Sequence, residues 1–173
     1  RYLNQSFINQ VEEMKSRKPQ KFKHQIMGGW LDKAEGVIFT NWTLGEFAKD
    51  VQCVWGMDFG FSNDPTTLVQ TFIDKNKKVI YLKEHIYQAH LTTSDIYNLA
   101  SKIVGKELII ADSAEPRLIH ELRAKGLNIQ PAVEGQGSVT HGIALMQDYD
   151  LIIDGENLVK ELNNYVWLER KSQ

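Results

Sequence analysis

The sequence predicts an α/β domain with a mixed central sheet, a three-strand antiparallel meander plus parallel strands, flanked by helices. Three observations predict it. Three apolar or β-branched runs, Cys53–Asp58, Thr66–Ile73 and Val79–Tyr87, follow one another across short polar turns, which is the spacing of a meander. The hydrophobic period then switches from 2 to 3.6 after Thr92. Beyond it, helical segments alternate with short, nearly all-apolar strands of the kind that are buried on both faces of a parallel sheet.

The bulk properties bound the answer. The chain has 173 residues, enough for one well-buried domain and too few for two large ones. It is 42% apolar and 24% charged, the balance of an ordinary globular protein. The single cysteine, Cys53, excludes an internal disulfide framework and reads as a small core residue in a reducing compartment. No apolar run approaches the roughly 18 residues of a membrane span, and no signal peptide opens the chain. The chain begins at Arg1 without a methionine and is expected to be a piece of a larger protein. Net charge is −2, but unevenly spread. Arg1, Lys15, Arg17, Lys18, Lys21 and Lys23 against Glu12 and Glu13 give +4 in residues 1–30, and the remainder carries −6. The basic segment is either a phosphate contact or a solvated helix face.

The elements follow in order. Residues 6–16 carry Phe7, Ile8, Val11 and Met14 at helical spacing. After Pro19 a second short helix over 20–27 stops at Gly28-Gly29. Residues 30–50 read as irregular structure whose Trp30, Phe39, Trp42 and Phe47 pack the segment onto the following domain. Residues 1–50 are thus a lead-in, and 51–173 the domain. Strand Cys53–Asp58 is followed by the turn Ser62-Asn63-Asp64-Pro65, strand Thr66–Ile73, the loop Asp74–Lys78 and strand Val79–Tyr87. Thr92 to Asp95 offer helix-capping hydroxyls and an early acid, with Ile96, Leu99, Ala100 and Ile103 on one face and Gly105 as the stop. Glu107–Asp112 is a strand. Pro116 opens a helix carrying Leu118, Ile119 and Leu122, ended by Gly126. Strand Leu127–Val133, helix Ser138–Gln147, strand Leu151–Ile153 and a helical or turn segment Asn157–Tyr165 complete the chain.

Two strands end on an acid, Asp58 and Asp112. A carboxylate at the end of a buried strand is costly without a partner. A metal cation is one partner and a turn hydrogen bond is another, and acids at strand ends often only cap turns. Ligands of α/β sheets bind outside the carboxyl ends of the strands, where both acids lie. If the two strands are neighbours, the carboxylates face each other and repel unless a cation sits between them. Mg²⁺ and Mn²⁺ prefer such oxygen ligands. Gly60, Ser113 and Ala114 leave room beside the acids. Asp64 before Pro65 reads as a turn residue, and Glu115 before Pro116 as a helix N-terminal acid. Arg117 and Lys125 read as a solvated face or a DNA-backbone contact. His24, His85, His90, His120 and His141 lack ligand spacing, and His120 reads as structural. Trp30, Trp42, Trp55 and Trp167 read as packing anchors.

The blocks GMDFGFSNDPTTLV, LTTSDIYNLA, IIADSAEPRLIHELRAKGLNI, GSVTHGIALMQ and LVKELNNYVW, in this order from about Val54 to Trp167, resemble the nuclease domain of the large terminase subunit of tailed bacteriophages. FINQ, GGW and GVIFTNW resemble the segment joining that family's ATPase motor to its nuclease. The resemblance implies an RNase H-like fold and metal-dependent endonucleolytic cleavage of concatemeric double-stranded DNA. It implies that Asp58 and Asp112 are the first and second metal-binding carboxylates, serving two Mg²⁺ or Mn²⁺ ions. The family's third acid lies in a late segment resembling DxxNHxIDAxRY and is expected beyond Gln173. Relatives often carry a lysine near Glu134, so an acid there weakens phosphate attraction. The implied partners are double-stranded DNA, the portal protein and the small terminase subunit, with no membrane, in the host cell cytoplasm. A second reading is a non-catalytic docking module for DNA or portal. No GxxxxGK[ST] motif is present, which removes a P-loop ATPase from these 173 residues.

Overall fold

The computed structural model describes residue 9 and residues 36–167. The helices expected over 6–16 and 20–27, and Trp30, lie outside the described residues. Within them the elements run β1 (Trp42–Leu44), β2 (Val54–Asp58), β3 (Thr66–Asp74), β4 (Val79–Gln88), α1 (Thr93–Val104), β5 (Ile109–Ala111), α2 (Pro116–Ala124), β6 (Ile129–Pro131), α3 (Ser138–Gln147), β7 (Asp150–Asp154) and α4 (Glu156–Asn164). The strands form a seven-stranded sheet in the order β1-β7-β4-β3-β2-β5-β6.

The meander is present as β2, β3 and β4, paired antiparallel. The Asp74 carboxylate closes the β3–β4 turn by accepting the Asn76 and Lys77 amides at 3.1 and 2.9 Å. The rest of the sheet is parallel: β5 on β2, β6 on β5, β7 on β4 and β1 on β7. Ile109 and Ala111 of β5 share a face and point into one core, where they are almost wholly hidden, while Ile110 on the other face is half-buried.

Two apolar cores occupy opposite faces. Trp55 and Met57 of β2 point into the first, with Leu68, Ile86, Ile109 and the inner stripes of α1 and α2. Alternation then turns Gly56 and Asp58 to the other face. There the second core gathers Ile80, Leu151 and Ile153 under α3 and α4, with Phe39 and Trp42.

Several expectations change. Residues 42–44 are a strand rather than irregular structure, since β1 extends the sheet by pairing with β7 from Trp42↔Leu151 to Leu44↔Ile153. Phe39 and Trp42 do pack onto the domain, and Phe47 meets the Tyr81 ring edge-on at 6.3 Å. On α1 the buried stripe is Ile96, Ala100 and Val104, while Leu99 faces solvent. A step of four from Ala100 favours Val104 over the neighbouring turn. The capping box expected at Thr92 is complete, its hydroxyl accepting the Asp95 amide at 3.2 Å and Asp95 accepting the Thr92 amide at 2.9 Å. Trp167 is 56% exposed and does not serve as a packing anchor among the described residues. His120 is exposed on α2 and holds no core position. No described helix is long and apolar enough to cross a membrane.

One irregularity shapes the site. Leu68 pairs with Ile86, but Val69 pairs with Glu84, leaving His85 as an extra residue on β4. A bulge of this kind reverses the alternation beyond it. Ile86 thereby joins the first core while both Glu84 and Tyr87 line the face that carries Asp58.

Candidate metal and nucleic-acid site

Asp58 is the last residue of β2, opposite Thr67 of β3. Met57 beside it is buried in the first core, so the strand end cannot swing. Asp112 follows β5 by one residue, and its amide donates to the Met57 carbonyl at 3.0 Å. The parallel ladder therefore continues one step past the strand and sets the two acids level on adjacent strands. Asp112 Oδ1 also accepts the Ala114 amide at 2.9 Å, a turn bond that leaves its second oxygen uncommitted by it. Of the two partners considered for a strand-end acid, the turn hydrogen bond is the one made at Asp112.

The electrostatics agree with close placement. Burial raises the Asp58 pKa first, the Asp112 charge raises it further and Asp64 adds to it, while a hydrogen bond from the Phe59 amide pulls it down. Asp58 still opens to solvent on one side.

Asp58 lies in a groove of about 440 Å³ whose walls include Gly60, Phe61, Asp64, Thr67, Tyr87 and Glu161. Asp112 borders Asp58 from the β5 side and is not among the groove walls. The loop from Phe59 to Pro65 is tightly folded. Gly60 donates its amide to Thr66 Oγ1 at 3.0 Å, and Asp64 donates its amide to the Phe61 carbonyl at 3.0 Å. A Cβ on Gly60 would lie 2.0 Å from the Asp64 carbonyl oxygen, so only glycine fits. The expected turn at Ser62 to Pro65 is therefore real, and Asp64 belongs to it.

Two further acids were not singled out by sequence, and both are engaged. Glu84 accepts Asn157 Nδ2 at 2.7 Å and the Leu158 amide at 3.0 Å, fastening the start of α4 to β4. Glu161 accepts the Tyr87 hydroxyl at 2.8 Å, and that bond is the leading cause of a raised Tyr87 pKa. Nothing in the local sequence marked either residue: Glu161 reaches this face through the packing of α4, and Glu84 shares it with Tyr87 only because of the bulge at His85. Glu134 accepts Ser113 Oγ at 2.6 Å. It ties the loop after β6 to the residue next to Asp112. Glu115 is the N-cap of α2 but makes no side-chain cap bond, and Arg117 pairs with Glu121 at 2.9 Å.

The donor set suits a hard divalent cation. Asp58 and Asp112 supply carboxylate oxygens and no sulfur, and their mutual repulsion is what a cation between them would relieve. Among the described residues no group of three or more His, Cys, Asp or Glu could hold a metal ion. The described residues thus offer a two-carboxylate seat, of the sort in which a Mg²⁺-like ion keeps several waters.

A meander continued by parallel strands, with two carboxylates level at adjacent strand ends, defines an RNase H-like domain. The model of the family described as "Terminase RNAseH like domain" matches residues 58–173, and the chain belongs to that family. It is 30% identical over 180 residues to the terminase large subunit of Bacillus phage SPP1, a match covering 94% of this chain and 42% of that protein. The chain thus spans less than half the length of that relative. Among solved structures, the large terminase nuclease domain of bacteriophage SPP1 with bound Mn superposes with a TM-score of 0.67 at 29% identity, covering 77% of this chain and 83% of that one. The large terminase nuclease of the thermophilic phage G20c, solved with bound magnesium, has a TM-score of 0.56 at 21% identity over 80% of this chain and 85% of that one, a likeness of fold alone.

Proposed function

We propose that this chain is the nuclease part of a phage DNA-packaging terminase and cuts concatemeric double-stranded DNA endonucleolytically. The observation that carries the reading is the pairing of Asp58 with Asp112 through the Asp112 amide and Met57 carbonyl. In support, the SPP1 relative that the chain resembles over 77% of its length is a terminase nuclease domain holding Mn.

In this reading Asp58 and Asp112 hold divalent cations, Mg²⁺ or Mn²⁺, two ions in the full site. Bound cations of this class activate a water as nucleophile and offset the charge of the phosphate and leaving oxygen. The chain's own residues do the rest. β2 and β5 hold the two carboxylates at fixed height, and the Ala114 amide orients Asp112. Gly60 lets the turn beside Asp58 close tightly on its own backbone. Residues 1–50 form a lead-in from a motor domain and 51–173 the nuclease, with β1 of the lead-in docked on the nuclease sheet. Portal protein and small terminase subunit are the partners of the full assembly, acting in the host cell cytoplasm.

The test is a supercoiled-plasmid assay on the purified chain. Mn²⁺ is expected to support nicking and linearisation at least as well as Mg²⁺, since it tolerates an imperfect ligand set. Cleavage that survives EDTA would contradict the metal-dependent reading.

A further inference from the structure

We propose that Phe61 is a DNA-contact residue of this site, its ring lying on the deoxyribose and base edge beside the phosphate addressed by Asp58 and Asp112. The inference rests on the nuclease reading and adds a residue to it.

Phe61 is 81% exposed. A bare phenyl ring in water is an unused contact surface, and aromatic rings carry much of the energy of interfaces. The Phe61 backbone that carries the ring is fixed. Its carbonyl accepts the Asp64 amide at 3.0 Å, and the adjoining Gly60 amide is fixed to Thr66 Oγ1 at 3.0 Å. Ser62, next along the chain, is held at a φ of 57°. Binding at so constrained a turn costs little ordering of the backbone.

Position points to the occupant. Phe61 follows Asp58 by three residues and lines the same groove. The groove walls carry Asp58, Asp64, Glu84 and Glu161 and no lysine or arginine. Such a wall offers a phosphate backbone no cationic side chain, so the contact it can offer DNA is the uncharged aromatic face of Phe61. An aromatic face makes that contact without sequence preference, because every nucleotide of a duplex exposes the apolar edge of its deoxyribose.

The experiment compares wild type with Phe61→Ala and Phe61→Trp on the full 173-residue chain. Cleavage of duplex DNA is followed with Mn²⁺, and affinity for a fluorescein-labelled duplex is read by anisotropy with Ca²⁺. Phe61→Ala should raise both KM and Kd about tenfold, the scale of one well-placed aromatic contact residue, with Tm and kcat nearly unchanged. Phe61→Trp should retain wild-type values. Wild-type Kd and KM in Phe61→Ala would overturn the proposal and leave the ring to a protein interface. A fall in Tm and kcat without a rise in Kd would overturn it in favour of a structural role. A wild-type chain that binds duplex but never cuts it would defeat the nuclease reading, while the anisotropy difference would still decide the role of Phe61.

Discussion

The Asp112 amide donates to the Met57 carbonyl at 3.0 Å, one step beyond the last paired residue of β5. That bond sets Asp112 beside Asp58, the residue after Met57. The acid pair is thus a product of strand register, and it inherits the rigidity of the buried β2–β5 ladder. Residues that hold the ladder or its adjoining turn should act on the site from outside it.

Gly60→Ala tests the turn. The added Cβ meets backbone at 2.0 Å (Asp64 oxygen) and 2.4 Å (Pro65 carbon), so the turn itself must shift. Plasmid cleavage should fall by about a hundredfold, the loss that accompanies a misplacement of about 1 Å. Circular dichroism should show the sheet retained, because the turn lies outside both cores.

Glu84→Ala tests the anchorage of α4. The change removes the acceptor of both Asn157 Nδ2 and the Leu158 amide. The expected loss is about 2 kcal/mol in urea unfolding, typical of hydrogen bonds to a charged group. Gly155 sits so close to Glu84 that its Cβ would lie 2.6 Å from that of Glu84. Gly155→Ala should therefore loosen the same junction.

Thr92→Ala should destabilise the protein by about 1 kcal/mol through loss of the α1 N-cap. The Thr92 hydroxyl, followed by its amide, lowers the Asp95 pKa below 3.8. A depressed carboxylate contributes stability above its unfolded pKa, and that contribution disappears as pH falls through the folded value. The gap between wild type and Thr92→Ala in thermal melts should accordingly narrow in acid.

Asp58 has the opposite sign. Burial and the Asp112 charge raise its pKa, so the folded state disfavours ionisation. Its favourable contribution is present below the unfolded pKa and is lost as pH rises through the raised folded value. In EDTA, Asp58→Asn should melt higher than wild type near neutral pH, and the difference should vanish toward pH 3. Mn²⁺ should raise the wild-type Tm and leave the variant unmoved, by mass action on the folded state.

The meander and the two strand-end acids were legible because their signals are local: β-branched runs, polar turns and an acid at each strand end. Adjacency of β2 and β5 was legible only as a condition, since parallel pairing joins residues some fifty apart in sequence. β1 was not legible. Trp42-Thr43-Leu44 is too short to show a period, and its partner β7 lies over a hundred residues away. The His85 bulge was hidden for a different reason: VIYLKEHIY is an apolar run, a polar middle and an apolar end, with no alternation for a bulge to break, and the extra residue emerges only when β3 sets the register. With it went any sight of Tyr87 on the same face as Glu84, while Glu161 joins them only through the packing of α4. Leu99 and Val104 changed places on α1 because both fit a helical stripe, and only the neighbouring strands decide which one is covered.

The most direct test of the acid pair couples metal binding to cleavage in wild type, Asp58→Asn and Asp112→Asn. Calorimetric titration with Mn²⁺ and plasmid cleavage are measured on the same folded preparations. The expected result is Mn²⁺ binding and cutting by wild type, with both lost in each single variant while the melts remain cooperative. Wild-type cleavage by either folded variant would contradict the account.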